Sequence, residues 1–435
     1  MRKKRIGLIL TTVLIFSCIF QSAPAYGAVT EFPEIVAQSA VLINADTGEI
    51  LYDKYKDLQV YPASTTKVMT ALLTLENMDL DDVCTVSHNA AYTEGSRIFL
   101  LEGEQLPVEP LLYAMMLPSA NDAAITLAEA CVGDVDSFAD MMNEKAKELG
   151  AENTHFVNPN GLPDENHVTT AADMALFAKE AMKNETFRKI VSTYEYTIPS
   201  TELQPEERLI HNSNRLLYDD VHKAVIGDVT RTFKYDGILG IKTGYTNAAG
   251  SCLVAAAERD GMTLIGVVYH SVPESLYTDM IQLLDFGFDN FKMLDLGIEA
   301  GEPVGKATVK GGKQHFIDVV TDNSAVATVE RMEDQKFSAD ISDYKFEIES
   351  DVLTAPVKKG EKVGKLIVSR DDVQVAQLDV FAAEDVEEAT LLSHLLSGFV
   401  ILVVVLLLLG ILFTIIRRIR HRKAIKRRKM RKREE

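Results

Sequence analysis

The stretch DGILGIKTGYTNAAGSCLVAAAERDGMTLIGVVYH (residues 236–270) contains three strand-like apolar runs, at 236–246, 251–258 and 262–270. The last two are joined by Arg259-Asp260-Gly261, a tight-turn composition. Far upstream, SAVLINADTGEILYDK (39–54) supplies two more apolar runs around Asp46-Thr47-Gly48, a hairpin signal. Five strands with mostly short connections predict one antiparallel sheet, built from both ends of a domain. Between those ends the periodicity is helical, over 64–76, 107–132, 136–149 and 171–183, and a further helix is expected over 274–291. The expected fold class is therefore α/β (α+β), a five-stranded antiparallel sheet flanked by helices. From about Leu296 the texture changes to alternating apolar and polar residues with Gly-containing turns, which predicts a small all-β domain.

The termini read differently from the middle. MRKKR, an apolar run from Ile6 to Phe20 and then QSAPAYGA form a secretory signal, with cleavage expected after Ala25 or Ala28. Residues 397–416, SGFVILVVVLLLLGILFTII, carry no charge and are long enough for one bilayer crossing. The tail that follows holds twelve Lys and Arg, which marks a cytoplasmic side. The expected organisation is a signal peptide at 1–28, a catalytic domain at 29–293, a β-rich domain at 294–382 and an acidic linker at 383–396. A C-terminal transmembrane helix at 397–416 and a basic cytoplasmic tail at 417–435 complete it, with both folded domains outside the cytoplasm.

The basic n-region and tail leave the extracytoplasmic remainder more acidic than the overall net charge of −19. Such a surface argues against a nucleic-acid partner. Once the leader is removed, Cys84, Cys131 and Cys252 remain, an odd number without metal-ligand spacing. Buried free cysteines act as small hydrophobes. The chain has no GxSxG, HExxH, Walker or Rossmann pattern, and no metal or cofactor is expected. Asp164 and His167 lack a third ligand, and His155 and His167 read as loop-holding residues.

The chemistry-bearing residues lie in three segments. In YPASTTKVMTALLTL (61–75), Ser64 and Lys67 are three apart at the start of an apolar helix and share a face. A serine hydroxyl needs a base to become a nucleophile, and a lysine whose charged form is disfavoured can serve. The pair reads equally as a helix cap beside a snorkelling lysine, and Ser342–Lys345 has the same spacing in strand-like sequence. The second segment, MLPSANDAAITLAEA, places Ser119 and Asn121 at the start of another apolar run. The third holds Lys242-Thr243-Gly244, the one such tripeptide in the chain, on the first strand of the opening stretch. Lys242 and Thr243 can hold a carboxylate, and Gly244 permits close backbone approach.

In this order, the three segments resemble the SxxK, SxN and KTG motifs of penicillin-binding proteins and serine β-lactamases. Their contexts resemble the serine D-alanyl-D-alanine carboxypeptidases, or low-molecular-mass penicillin-binding proteins. HFVNPNGLPDENHVTTAADMA (155–175), NSNRLL (212–217), GSCLVAAAERDGMTLIGVV (250–268) and APVKKGEKVGKL look like further segments of that family, over roughly residues 35–382. The resemblance implies a DD-peptidase/β-lactamase-like fold that removes the terminal D-alanine from peptidoglycan stem peptides ending in D-Ala-D-Ala. β-Lactam antibiotics would be covalent inhibitors.

Position by position, Ser64 would be the acylated nucleophile and Lys67 its general base. Ser119 would relay protons to the leaving D-alanine, and Asn121 would orient Lys67 and the substrate amide. Lys242 and Thr243 would bind the terminal carboxylate beside Gly244, and the backbone N–H groups of Ser64 and Tyr245 would form the oxyanion hole. Two departures stand out. No arginine lies between Arg259 and Arg331, which puts more of the carboxylate recognition on Lys242, and an apolar span replaces the amphipathic anchor common in relatives. A cross-link-cutting endopeptidase with the same residues and a low-turnover penicillin-binding scaffold are the competing readings.

Overall fold

The computed structural model describes residues 32–322, 325–330, 342, 344–370, 373–389 and 405–418. The expected signal at 1–28 lies outside these residues, as do residues 390–404 and nearly all of the basic tail. The described residues form two compact units dividing between Leu294 and Asp295, with the stretch from Thr328 grouped with the first.

The first unit is built on five strands: β1 (Ser39–Asn44), β2 (Ile50–Lys54), β3 (Ile238–Thr246), β4 (Gly250–Arg259) and β5 (Met262–Ser271). Their order is β2-β1-β5-β4-β3, antiparallel throughout, so the two ends of the domain meet where β1 pairs with β5. Side chains alternate between the faces of a strand. Val41, Ile43, Val254, Ala256, Ile265 and Val267 enter one apolar cluster, while Leu42, Leu253, Ala255, Leu264 and Val268 enter another. Both faces are buried, which explains why these strands read as nearly unbroken apolar runs.

Besides the single turn His88–Ala91, the helices are α1 (Lys67–Asn77), α2 (Val108–Met116), α3 (Asn121–Val132), α4 (Val135–Glu148), α5 (Ala171–Ala181), α6 (Glu185–Ser192) and α7 (Leu276–Asn290). Helix α1 puts Val68, Met69, Leu72 and Leu73 into the first cluster, and each such burial contributes roughly 1.5–3 kcal/mol. Helix α7 covers the opposite face through Met280, Ile281, Leu283 and Leu284.

Two expectations are corrected. The helix expected over 107–132 is two helices, because Pro118 lacks the N–H a continuing helix needs and Ser119 after it takes a positive φ. The helix expected over 64–76 opens as a 3-10 turn, Ala63–Thr66, and becomes α-helical only at Lys67. Sequence periodicity did not reveal α6, nor the two-stranded ribbons Glu195–Ile198/Arg208–His211 and Lys223–Ile226/Val229–Thr232.

The second unit contains a six-stranded sheet in the order Tyr344–Glu349, Lys362–Arg370, Val373–Ala382, Phe316–Val320, Pro303–Lys310, Leu353–Thr354. All neighbours are antiparallel except the last pair. Ala307, Val309, Ile317, Val319, Leu366, Val368 and Val380 are among its buried residues. Among the described residues, no helix is long and apolar enough to cross a membrane. The expected span at 397–416 is described only from residue 405, where it is helical.

Candidate active site

The 3-10 turn Ala63–Thr66 carries Ser64, and Lys67 begins α1 directly below it. Lys67 is wholly buried (0 % exposed), yet it has no carboxylate contact among the described residues. Its Nζ lies 3.0 Å from Ser64 Oγ, 2.7 Å from Asn121 Oδ1 and 2.6 Å from the Asn160 carbonyl oxygen. Burial pushes the Lys67 ammonium well below the ordinary lysine value, and the neighbouring Lys242 charge adds to this while Asp122 opposes it. A neutral amine has two protons and one lone pair. Both carbonyl-type oxygens can only accept, so in the neutral form the two protons would go to Asn121 and Asn160 and leave the lone pair for the Ser64 hydroxyl. That arrangement suits a general base.

The SxN segment follows the break at Pro118. Ser119 has φ +70°, sparsely populated for a residue with a side chain. Its Oγ is buried with no hydrogen-bond partner among the described residues. Such strain and an unsatisfied hydroxyl together are typical of functional positions. Asn121 opens α3 and is held by its Nδ2 donating to Glu94 O at 2.7 Å. Asp122 beside it is buried and accepts from the backbone N–H groups of Ile98 and Leu100, which fixes the 94–100 loop against this turn.

Strand β3 brings the KTG residues to the edge of the sheet, next to the serine turn. Lys242 is 1 % exposed, and burial lowers its ammonium to about 7. The Thr243 hydroxyl lies 2.6 Å from Ser213 Oγ. Gly244 packs on the serine turn so closely that a Cβ there would sit 3.1 Å from Ser64 N and 3.2 Å from Ala63 Cβ. Tyr245, one residue before the end of β3, has 61 % of its surface exposed. Hydrogen bonds thus join Ser64, Lys67 and Asn121. Lys242 acts on Lys67 through its charge, and Gly244 lies in contact with the serine turn.

Motif reading missed Asn160 and Thr66, which support this group, whereas His167, read as loop-holding, does hold its loop here. Asn160 supplies the carbonyl under Lys67 from a turn in which Asn158 Oδ1 accepts from Gly161 N at 2.7 Å. His167 accepts from Val157 N at Nδ1 (3.0 Å), so its proton sits on Nε2 and donates to Thr66 Oγ1 (2.8 Å). Thr66 in turn donates to Ala63 O, across the serine turn. The Asn-rich, Gly-containing NPNGL composition announces a turn. No sequence signal says that the turn points a carbonyl at a lysine. Among the described residues, no group of three His, Cys, Asp or Glu could hold a metal ion.

The family model of the D-alanyl-D-alanine carboxypeptidases, peptidase family S11, matches residues 27–272, more than half of the chain. The chain belongs to this family. A second family model, the C-terminal domain of penicillin-binding protein 5, matches residues 291–388. D-alanyl-D-alanine carboxypeptidase DacF of Bacillus subtilis is 37 % identical over 367 residues, covering 82 % of this chain and 88 % of that protein. Among solved structures, penicillin-binding protein 5 from Haemophilus influenzae aligns with a TM-score of 0.66 at 29 % identity, covering 83 % of this chain and all of that one. The Streptomyces K15 DD-transpeptidase aligns with a TM-score of 0.54 at 33 % identity, over 60 % of this chain and 99 % of that one. The S11 assignment and the α/β fold with a C-terminal β domain agree with the resemblance read from the motifs.

The three cysteines of the described residues are free thiols, with Cys84 and Cys252 buried. Burial pushes the Cys252 thiol up to about 12, so it behaves as an apolar side chain.

Proposed function

We propose that the chain is a membrane-anchored serine D-Ala-D-Ala carboxypeptidase that removes the terminal D-alanine of peptidoglycan stem peptides. The observation that carries this reading is the pairing of Ser64 Oγ with a buried Lys67 amine whose other two contacts are acceptors only. Lys67 takes the Ser64 proton as Oγ attacks the carbonyl carbon of the penultimate D-alanine. The backbone N–H groups of Ser64 and Tyr245 stabilise the tetrahedral oxyanion. Lys242 and Thr243 hold the terminal carboxylate. The Lys67 proton then passes through Ser119 to the departing amine as the peptide C–N bond breaks, leaving an ester on Ser64. Water, deprotonated by Lys67, hydrolyses that ester. β-Lactams enter the same path, and their opened rings remain esterified to Ser64.

In the membrane reading, residues 397–416 cross the bilayer once and the basic tail stays inside, as the charge asymmetry supports. Protease added to intact cells then leaves the tail uncut and digests the folded domains. Removal of the tail under those conditions contradicts this orientation. For the activity, the full chain in detergent micelles is given diacetyl-Lys-D-Ala-D-Ala and, separately, a cross-linked muropeptide dimer. Release of free D-alanine from the peptide supports the carboxypeptidase. Cleavage of the dimer alone favours the endopeptidase, and penicillin labelling without either product favours the scaffold.

A further inference from the structure

The sequence NSN at 212–214 takes no part in the mechanism above, yet the fold invests heavily in it. Asn212 is buried, and its Nδ2 donates to Val191 O (3.1 Å) in the last turn of α6 and to Thr193 O (3.0 Å) just past its end. Its Oδ1 accepts from Asn214 N at 2.9 Å, so one buried side chain grips both flanks of Ser213. Ser213 N donates to Leu117 O at 3.1 Å, two residues before Ser119. The Tyr277 hydroxyl of α7 donates to Ser213 O at 3.1 Å. The backbone of Ser213 is therefore fixed from three sides, and its hydroxyl meets Thr243 Oγ1 at 2.6 Å.

Each hydroxyl has one proton and two lone pairs. Among the described contacts, the two hydroxyls have only each other as partners. If Thr243 donates to Ser213, it turns lone pairs toward whatever occupies the pocket. If Ser213 donates to Thr243, the Thr243 proton is free for that occupant. A carboxylate accepts and cannot donate, so its arrival selects the second arrangement, a chain from Ser213 O–H to Thr243 O–H to the anion. Hydroxyls in series polarise one another, which strengthens the terminal donation. The Ser213 backbone, tied to Asn212, Leu117 and Tyr277, keeps the first donor in place.

We propose that Ser213 is a positioning residue that sets the direction of the Thr243 hydroxyl, and thereby the enzyme's preference for a substrate or inhibitor bearing a free carboxylate. This rests on the carboxypeptidase reading of Lys242 and Thr243. It also commits the Thr243 hydroxyl as a neutral donor to the carboxylate in a chain where no arginine follows Arg259 before Arg331.

The test uses the full chain in detergent micelles with Ser213→Ala and Ser213→Thr. Acylation is timed with a penicillin and with its methyl ester, and D-alanine release from diacetyl-Lys-D-Ala-D-Ala is followed in parallel. Ser213→Ala leaves the Thr243–carboxylate bond in place but removes the hydroxyl that orients and polarises its donor, which predicts roughly a two- to fourfold fall in the acid-to-ester acylation ratio. With the peptide the loss falls on KM and largely spares kcat. Ser213→Thr keeps a hydroxyl and restores most of the ratio, and melting temperatures stay together.

An unchanged ratio in Ser213→Ala overturns the proposal. So does an equal loss on acid and ester accompanied by a lower melting temperature, or a threonine variant no better than alanine. Wild-type protein that neither releases D-alanine nor acylates contradicts the peptidase reading itself, which is a distinguishable result.

Discussion

Gly161 approaches Ala63 so closely that a Cβ on Gly161 would lie 1.8 Å from the Ala63 carbonyl oxygen and 3.0 Å from Ser64 N. Its φ is +84°, a conformation that side chains disfavour. The turn that delivers the Asn160 carbonyl to Lys67 is thus seated directly on the turn that carries Ser64. Gly161→Ala should lose acylation almost completely and destabilise the protein by on the order of 3 kcal/mol. Thermal melting and fluorescent-penicillin labelling check this, and a variant with near-normal values in both contradicts the seating.

The two pocket lysines predict a bell-shaped pH profile. Lys67 must be neutral to act as base, and burial holds it well below 10.5. Lys242 must be charged to hold a carboxylate, and burial lowers it to about 7 in the ligand-free pocket. The free enzyme governs kcat/KM, so that quantity rises as Lys67 deprotonates and declines as Lys242 does, near pH 7. In Lys242→Arg the guanidinium does not titrate in this range, so the alkaline decline should disappear even if the maximum is lower. An alkaline limb unchanged in Lys242→Arg contradicts the assignment.

His167 predicts an acid-side loss of stability. Burial is the main cause that lowers its imidazole from 6.5 to about 4, and His155 and Lys67 add to this against the opposing Asp164. Between those values the unfolded chain binds a proton that the folded chain does not. The contribution is therefore intact above pH 6.5 and is lost as pH falls toward 4, by at most about 3 kcal/mol. Denaturation across this window should show a shallower slope for His167→Asn than for wild type. Equal slopes remove His167 as the source.

Much of this fold could be read from local pattern, because its sheet is buried on both faces. Leu253 and Val254 serve opposite clusters, so β4 reads as one apolar run, and the turn at Asp260-Gly261 ends it. The break in 107–132 was also written locally, in Pro118, but a continuous apolar periodicity ran across it. The Ser64/Lys67 spacing gained meaning only from the ordered company of Ser119, Asn121 and Lys242, since Ser342/Lys345 has the same spacing and Lys345 lies on a strand. Asn160, Gly161, His167 and Ser213 act through carbonyls, close approach and hydrogen bonds over long sequence separations. Such contacts exist only once the chain has folded.

Acylation of Ser64 with Lys67 as its base leaves a covalent adduct on the protein. Intact-mass spectrometry of the full chain treated with benzylpenicillin, followed by peptide mapping, tests it most directly. Wild type should gain one penicilloyl group, mapped to the peptide containing Ser64. Ser64→Ala should gain none, and Lys67→Ala should acylate at least a hundredfold more slowly, as loss of a general base predicts. An adduct on Ser64→Ala, or one mapped to another serine in the wild type, contradicts the account.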